Sequence, residues 1–168
     1  MIWLRAVAFV LVVQVSVVGV LPWVLRDTGP RFAPGGWRFA GLTIAGAGTI
    51  LVAVCNALFV RQGLGTAAPY DPPRNLVVAG PYRFVRNPMY LSALMIVGGV
   101  ALWLGATALL AYALLLSLAY HGFVKYYEEP RLARRFGLAY AAYLRAVPRW
   151  RPRLRPIPGG PQPPIAGS

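Results

Sequence analysis

Acidic residues are nearly missing from this sequence: 4 Asp and Glu stand against 17 Lys and Arg among 168 residues, for a net charge of +13. Charged residues of both signs make up only 12% of the chain, where a soluble domain carries about 25%. That shortfall argues against an ordinary water-soluble globule. A disordered basic tail is excluded as well, because such tails are poor in Val, Leu and aromatics and 58% of this chain is hydrophobic. Cysteine occurs once, as Cys55, which removes any internal disulfide or thiolate metal cluster. Its sulfur lies inside an apolar run and reads as a small buried group. Histidine also occurs once, as His121, so a multi-histidine metal site is excluded.

What the chain has instead is apolar sequence in uninterrupted runs, with a mean hydropathy of +0.57. Twenty uncharged residues (6–25) separate Arg5 from Arg26, and twenty-two (39–60) separate Arg38 from Arg61. At ~1.5 Å per residue each can cross a hydrocarbon layer about 30 Å thick. The first exceeds the ~7–15 residues of a signal-peptide core and lacks a small-x-small cleavage pattern before Arg26, so it reads as a retained helix. From Met89 to Val124 thirty-six residues are interrupted only by His121, a length suited to two short crossings at 89–103 and 106–126. A turn near Trp103, Leu104 and Gly105 would join them. The expected fold is all-α, an integral membrane bundle of about four transmembrane helices.

Fourteen cations fall on one side of these crossings and three, Arg26, Arg31 and Arg38, on the other. By the positive-inside rule both termini are cytoplasmic, and the expected location is a bacterial inner membrane. The same count accounts for the net charge without nucleic acid. Arginines beside membrane runs meet anionic headgroups, whereas an RNA-binding face interleaves cations with exposed aromatics.

Two cytoplasmic segments depart from the membrane pattern. The 61–88 loop has twenty-eight residues and five prolines, longer than compact connections run, yet carries apolar Leu76, Val77 and Val78. An ordered cover over a pocket is expected there. After the last crossing, Leu132, Phe136, Tyr140 and Tyr143 recur at i, i+4, i+8 and i+11, with Arg131, Arg134, Arg135 and Arg145 on other faces. That spacing predicts a C-terminal amphipathic helix lying in the interface. From Pro152 onward six of seventeen residues are Pro, which implies an extended or disordered tail over 152–168 after a single domain over 1–151.

Chemistry-bearing residues concentrate in two places. Gly80-Pro-Tyr-Arg-Phe-Val-Arg-Asn-Pro-Met-Tyr90 precedes a membrane helix. Asn87 and Pro88 could simply cap and start that helix, and Arg83, Arg86, Tyr82 and Tyr90 could be interfacial anchors. Glu128-Glu129 is half of the chain's acid, placed where the last crossing ends. Carboxylates at membrane depth are costly, so besides pairing with arginines they can mark a site for a cation or ammonium group.

In order, Gly80-to-Tyr90, then Tyr127-Glu128-Glu129-Pro130, Phe136-Gly137, Tyr140, Tyr143 and Val147-Pro148-Arg149 resemble the membrane methyltransferase superfamily of isoprenylcysteine carboxyl methyltransferases and phospholipid N-methyltransferases. The resemblance covers roughly residues 74–150. Many members have His in the triplet where this chain has Asn87, a departure shared by the phospholipid branch. Gly46-Ala47-Gly48 is similar to a Gly-x-Gly that this branch uses for cofactor binding, although small residues also serve helix packing. The resemblance implies S-adenosylmethionine as cofactor and S-adenosylhomocysteine as product. Arg74, Asn75, Leu76, Val77, Tyr82, Asn87, Pro88, Met89, Tyr90 and Glu128 would line the cofactor pocket, with Gly46 and Gly48 adding to it. Arg86 and Glu129 are the implied catalytic residues, near the acceptor with Lys125.

The implied acceptor is lipophilic: a prenylcysteine-like carboxylate, a lipid amine or a small thiol. Carboxyl methyltransferases tend to place an Arg where this chain has Val124, which weakens the first. A carboxylate needs no base, whereas an amine or thiol must lose a proton, for which Glu129 or His121 is the candidate. Membrane lipids are expected partners. Two other classes compete: a nicotinamide-dependent reductase related to sterol reductases, which have many more crossings, and a non-enzymatic binding or transport subunit. A transporter normally needs an ionisable residue deep in a helix, and the first three crossings have none.

Overall fold

The computed structural model describes residues 14–61 and 76–158. Among these the chain is all-helical. Helix α1 spans Val15–Leu25, opening with a π-helical stretch, Val15–Val20. Helix α2 is Trp37–Arg61, α3 is Pro88–Leu104 and α4 is Thr107–Phe123. A π-helical turn, Val124–Glu128, carries α4 directly into α5, Glu129–Ala146. Apolar runs without internal Pro form helices here for a solvent reason: a bilayer offers backbone N–H and C=O groups no partner, so the segment must satisfy them itself.

Two helices are long and apolar enough to cross a membrane: α2 over Trp37–Leu58 and the joined α4–α5 rod, Thr107–Ala146. The expectation of four crossings becomes two long apolar helices and two shorter ones among the described residues. The reason at α3 is an early stop. It has 17 residues and ends at Gly105, whose φ of 65° is a left-handed cap. A side chain there would also collide with the Phe32 carbonyl. At α1 the first part of the expected 6–25 crossing lies outside the described residues. The hairpin turn itself falls where the sequence places it.

Large apolar side chains face outward along these helices, including Trp37, Phe39, Ile50, Leu114, Leu115 and Leu118. In water such a surface would aggregate; in lipid it is the solvated face. Inward, α2 and α3 make the closest contact in the bundle through glycine. A Cβ on Gly41 would stand 2.6 Å from the Gly99 carbonyl, and one on Gly99 would stand 2.6 Å from the Ala45 nitrogen. Lipid supplies no hydrophobic drive between helices, so close backbone approach holds them. Tyr112 of α4 adds a polar tie, donating to the Val17 carbonyl of α1 at 2.8 Å.

The two ends of the bundle are closed differently. At one, the α1–α2 connection folds over the α3–α4 turn: Phe32 N donates to the Gly105 carbonyl at 2.9 Å, and Ala101, Ala106 and Leu109 form a small core with Leu25. At the other, Val78, Tyr140, Tyr143 and Val147 are buried together, with Leu76, Leu132, Phe136 and Ile157 packed on them. The apolar stripe of α5, expected to lie in the interface, is therefore covered by protein: residues 76–78 and the chain's end have claimed it. The start of the Pro-rich tail, 152–158, is extended. Arg153 N donates to the Phe84 carbonyl at 3.0 Å, Ile157 N to that of Arg83 at 3.2 Å, and Arg83 Nε to that of Ile157 at 2.6 Å.

Candidate active site

The acidic pair lies where α4 gives way to α5, beside the start of α3. Successive residues on a helix diverge by about 100°, so the two carboxylates reach different partners. Tyr90 donates its hydroxyl to Glu128 Oε2 at 2.8 Å. Glu129 is clamped by two guanidinium groups: Arg86 Nη1 and Arg149 Nε donate to Oε1, and Arg149 Nη2 to Oε2, all at 2.7 Å. The Arg149 contact is a two-pronged fork matched to a carboxylate. That hydrogen bond raises the Arg149 pKa above its ordinary value, so its charge is permanent. Side-chain exposure is only 13% at Arg86 and 14% at Glu129.

Aromatic rings wall the same corner. The Tyr90 ring packs on Tyr120 at 4.6 Å between centroids and meets Phe123 edge-on at 6.5 Å, while Phe123 lies 5.0 Å from Tyr127. From the C-terminal side, Arg86 N donates to the Pro148 carbonyl at 3.0 Å and Asn87 Nδ2 to that of Arg149 at 3.3 Å. Tyr143 donates its hydroxyl to the Tyr82 carbonyl at 2.7 Å. Tyr82 itself sits in a one-turn 3₁₀ helix, Gly80–Arg83. Burial, with the Cys55 and Glu128 charges beside it, pushes the Tyr82 phenol well above its ordinary value, so it stays a neutral donor. Gly80 has a φ of 51°, and a side chain there would run into Leu58 of α2.

A family model for phospholipid methyltransferases matches residues 39–139, more than half of the chain. The chain belongs to that family. It shares a superfamily with the isoprenylcysteine carboxyl methyltransferases, and the family together with the outward apolar helices makes it a membrane protein. Searches of curated proteins and of solved structures gave no match.

The phospholipid methyltransferase fold brings many of the sequence-derived positions together, but not in one role. Tyr90 and Glu128 bond directly, and Arg86 and Glu129 bond directly. Pro88 starts α3 as expected, while Asn87 turns its amide to residue 149 and makes no side-chain cap. Met89 follows in the first turn of α3. Leu76 and Val77 are drawn into the protein core rather than left facing a cavity: Leu76 packs against the α5 cluster and Val77 is 8% exposed. Arg74 and Asn75 lie outside the described residues.

The Gly46-x-Gly48 reading divides. Gly48 is needed for packing, since a Cβ would stand 2.8 Å from the Ser92 carbonyl of α3, whereas Gly46 is exposed and meets nothing within 4 Å. Glu129, a candidate base by sequence, has both oxygens engaged by arginine. His121, the other candidate, is exposed and accepts the Trp150 indole N–H on Nδ1 at 3.1 Å. Lys125 is exposed over the Tyr126 ring at 5.1 Å rather than tied to the acidic pair. Val124 is buried. The residue that sequence reasoning quoted without assigning a role is Arg149, and its place in the Val-Pro-Arg motif was the available signal. Tyr120 had none, because only the α3–α4 crossing sets it against Tyr90.

Proposed function

We propose that this protein is an S-adenosylmethionine-dependent methyltransferase of the bacterial inner membrane that modifies a lipophilic acceptor from the cytoplasmic side. Four crossings with both termini in the cytoplasm follow from the fourteen-to-three cation count. The observation that carries the reading is the acidic pair split between Tyr90 and two arginines at the bilayer exit.

The side chains suit the cofactor's two charged ends. Glu128, oriented by Tyr90, is complementary to an α-ammonium group. Arg86 keeps a buried Nε with no hydrogen-bond partner among the described residues, a donor suited to a carboxylate. When bound, S-adenosylmethionine supplies an electrophilic methyl on a sulfonium. Every other contribution comes from the chain: Glu128 fixes one end, Tyr90 aims Glu128, and Glu129 aligns Arg86 as a positioning residue rather than a base. The Tyr90, Tyr120 and Phe123 rings exclude water and offer π faces to a cation. Alignment of donor and acceptor then supplies most of the rate. Prenylcysteine-like carboxylates, lipid amines and small thiols are the acceptor classes consistent with a site opening to the bilayer.

Purified protein, labelled methyl donor and native lipid extract should give a labelled lipid-phase product identifiable by mass spectrometry, with S-adenosylhomocysteine released. Glu128→Ala should abolish S-adenosylhomocysteine binding while the detergent-solubilised protein stays folded. Unchanged affinity in that variant would overturn the pocket assignment.

A further inference from the structure

The outward side of the α4–α5 junction carries positive charge that the site does not use. Tyr126, Tyr127, Arg131, Arg134 and Arg135 line a groove of about 510 Å³ on this rod. Arg131 Nη1 donates to the Tyr127 hydroxyl at 2.6 Å and its guanidinium lies 5.7 Å from that ring, while Lys125 overhangs Tyr126. Three arginines within five residues need counter-charge. Among the described residues every carboxylate is engaged elsewhere: Asp27 by Arg26 and Arg31, Glu128 by Tyr90, Glu129 by Arg86 and Arg149.

Position selects the counter-charge. Thr107–Phe123 is the apolar helix, so Tyr126 and Tyr127 emerge just past it, at the depth where lipid headgroups sit and where tyrosine is favoured. Leu138, beyond the arginines and 89% exposed, extends an apolar contact along the same cytoplasmic helix. A soluble polyanion would leave both the leucine and the tyrosine rings in water.

We propose that this groove is a seat for the phosphate of an anionic phospholipid, separate from the transfer site on the inward side of the rod. Its basis is charge and position, independent of the methyl-transfer reading, and its test reads lipid retention rather than catalysis. The full-length protein in detergent is mixed with equimolar phosphatidylglycerol and phosphatidylcholine, separated by gel filtration, and its retained lipid quantified by mass spectrometry. The wild type should favour phosphatidylglycerol by about tenfold. Combined Arg131→Gln, Arg134→Gln and Arg135→Gln should erase that preference. Combined Arg145→Gln, Arg151→Gln and Arg155→Gln, which remove equal charge from exposed positions elsewhere, should keep it. Equal loss in both triple variants would overturn the proposal, as would displacement of the lipid by inorganic phosphate or by a short RNA. If the first triple variant fails to elute as folded protein, Arg134→Gln alone serves, with a roughly threefold loss expected and no loss counting against the seat.

Discussion

The two ends of the bundle use the same chemistry at different depths. At the α1–α2 connection Asp27 pairs with Arg26 and Arg31, and its side chain is 62% exposed. At the α4–α5 junction Glu129 pairs with Arg86 and Arg149 and is 14% exposed. Water competes for the first trio, so it contributes little. The second sits where breaking one partner strands the others. Identical residue types thus make a solvated loop tie at one end and a rigid floor for a binding site at the other.

Four substitutions sharpen that contrast. Glu129→Ala leaves Arg86 and Arg149 facing each other and should lower stability by about 3–5 kcal/mol, read as a fall in the unfolding midpoint in detergent. Gly99→Val, between the two ends, forces a side chain against Ala45 of α2 and should cost about 1–3 kcal/mol by the same measurement. Tyr90→Phe removes a hydrogen bond to a carboxylate and should weaken S-adenosylhomocysteine binding about tenfold, measured by titration calorimetry; Tyr112→Phe, losing a hydroxyl contact distant from the acidic pair in sequence, should leave that affinity unchanged. Asp27→Asn should shift the midpoint by less than about 1 kcal/mol, and a larger loss would erase the distinction between the ends.

Much of the fold was legible because the bilayer imposes a simple rule: charge-free runs become helices. The α2 boundaries, the hairpin turn at Gly105 and the α5 helix all follow from it. What periodicity could not supply was the destination of a face. Leu132, Phe136, Tyr140 and Tyr143 read as a lipid-facing stripe, yet Val78 and Ile157, from distant parts of the chain, cover it. Gly48 read as a cofactor contact, yet the missing side chain is needed by α3. Glu128 and Glu129 were singled out by scarcity alone, which gave their importance but not their division of labour.

By itself the sequence determined the solvent, the helical class, the cation asymmetry and the two segments that carry polar chemistry, since each depends on composition along a short stretch. Only the tertiary structure decided that Tyr90 serves Glu128, that Arg86 and Arg149 share Glu129, and that Glu129 holds rather than accepts. Those pairings join residues 20 to 43 positions apart. Which donor meets which carboxylate is fixed by how helices cross and how the chain's end folds back, and no local pattern encodes that.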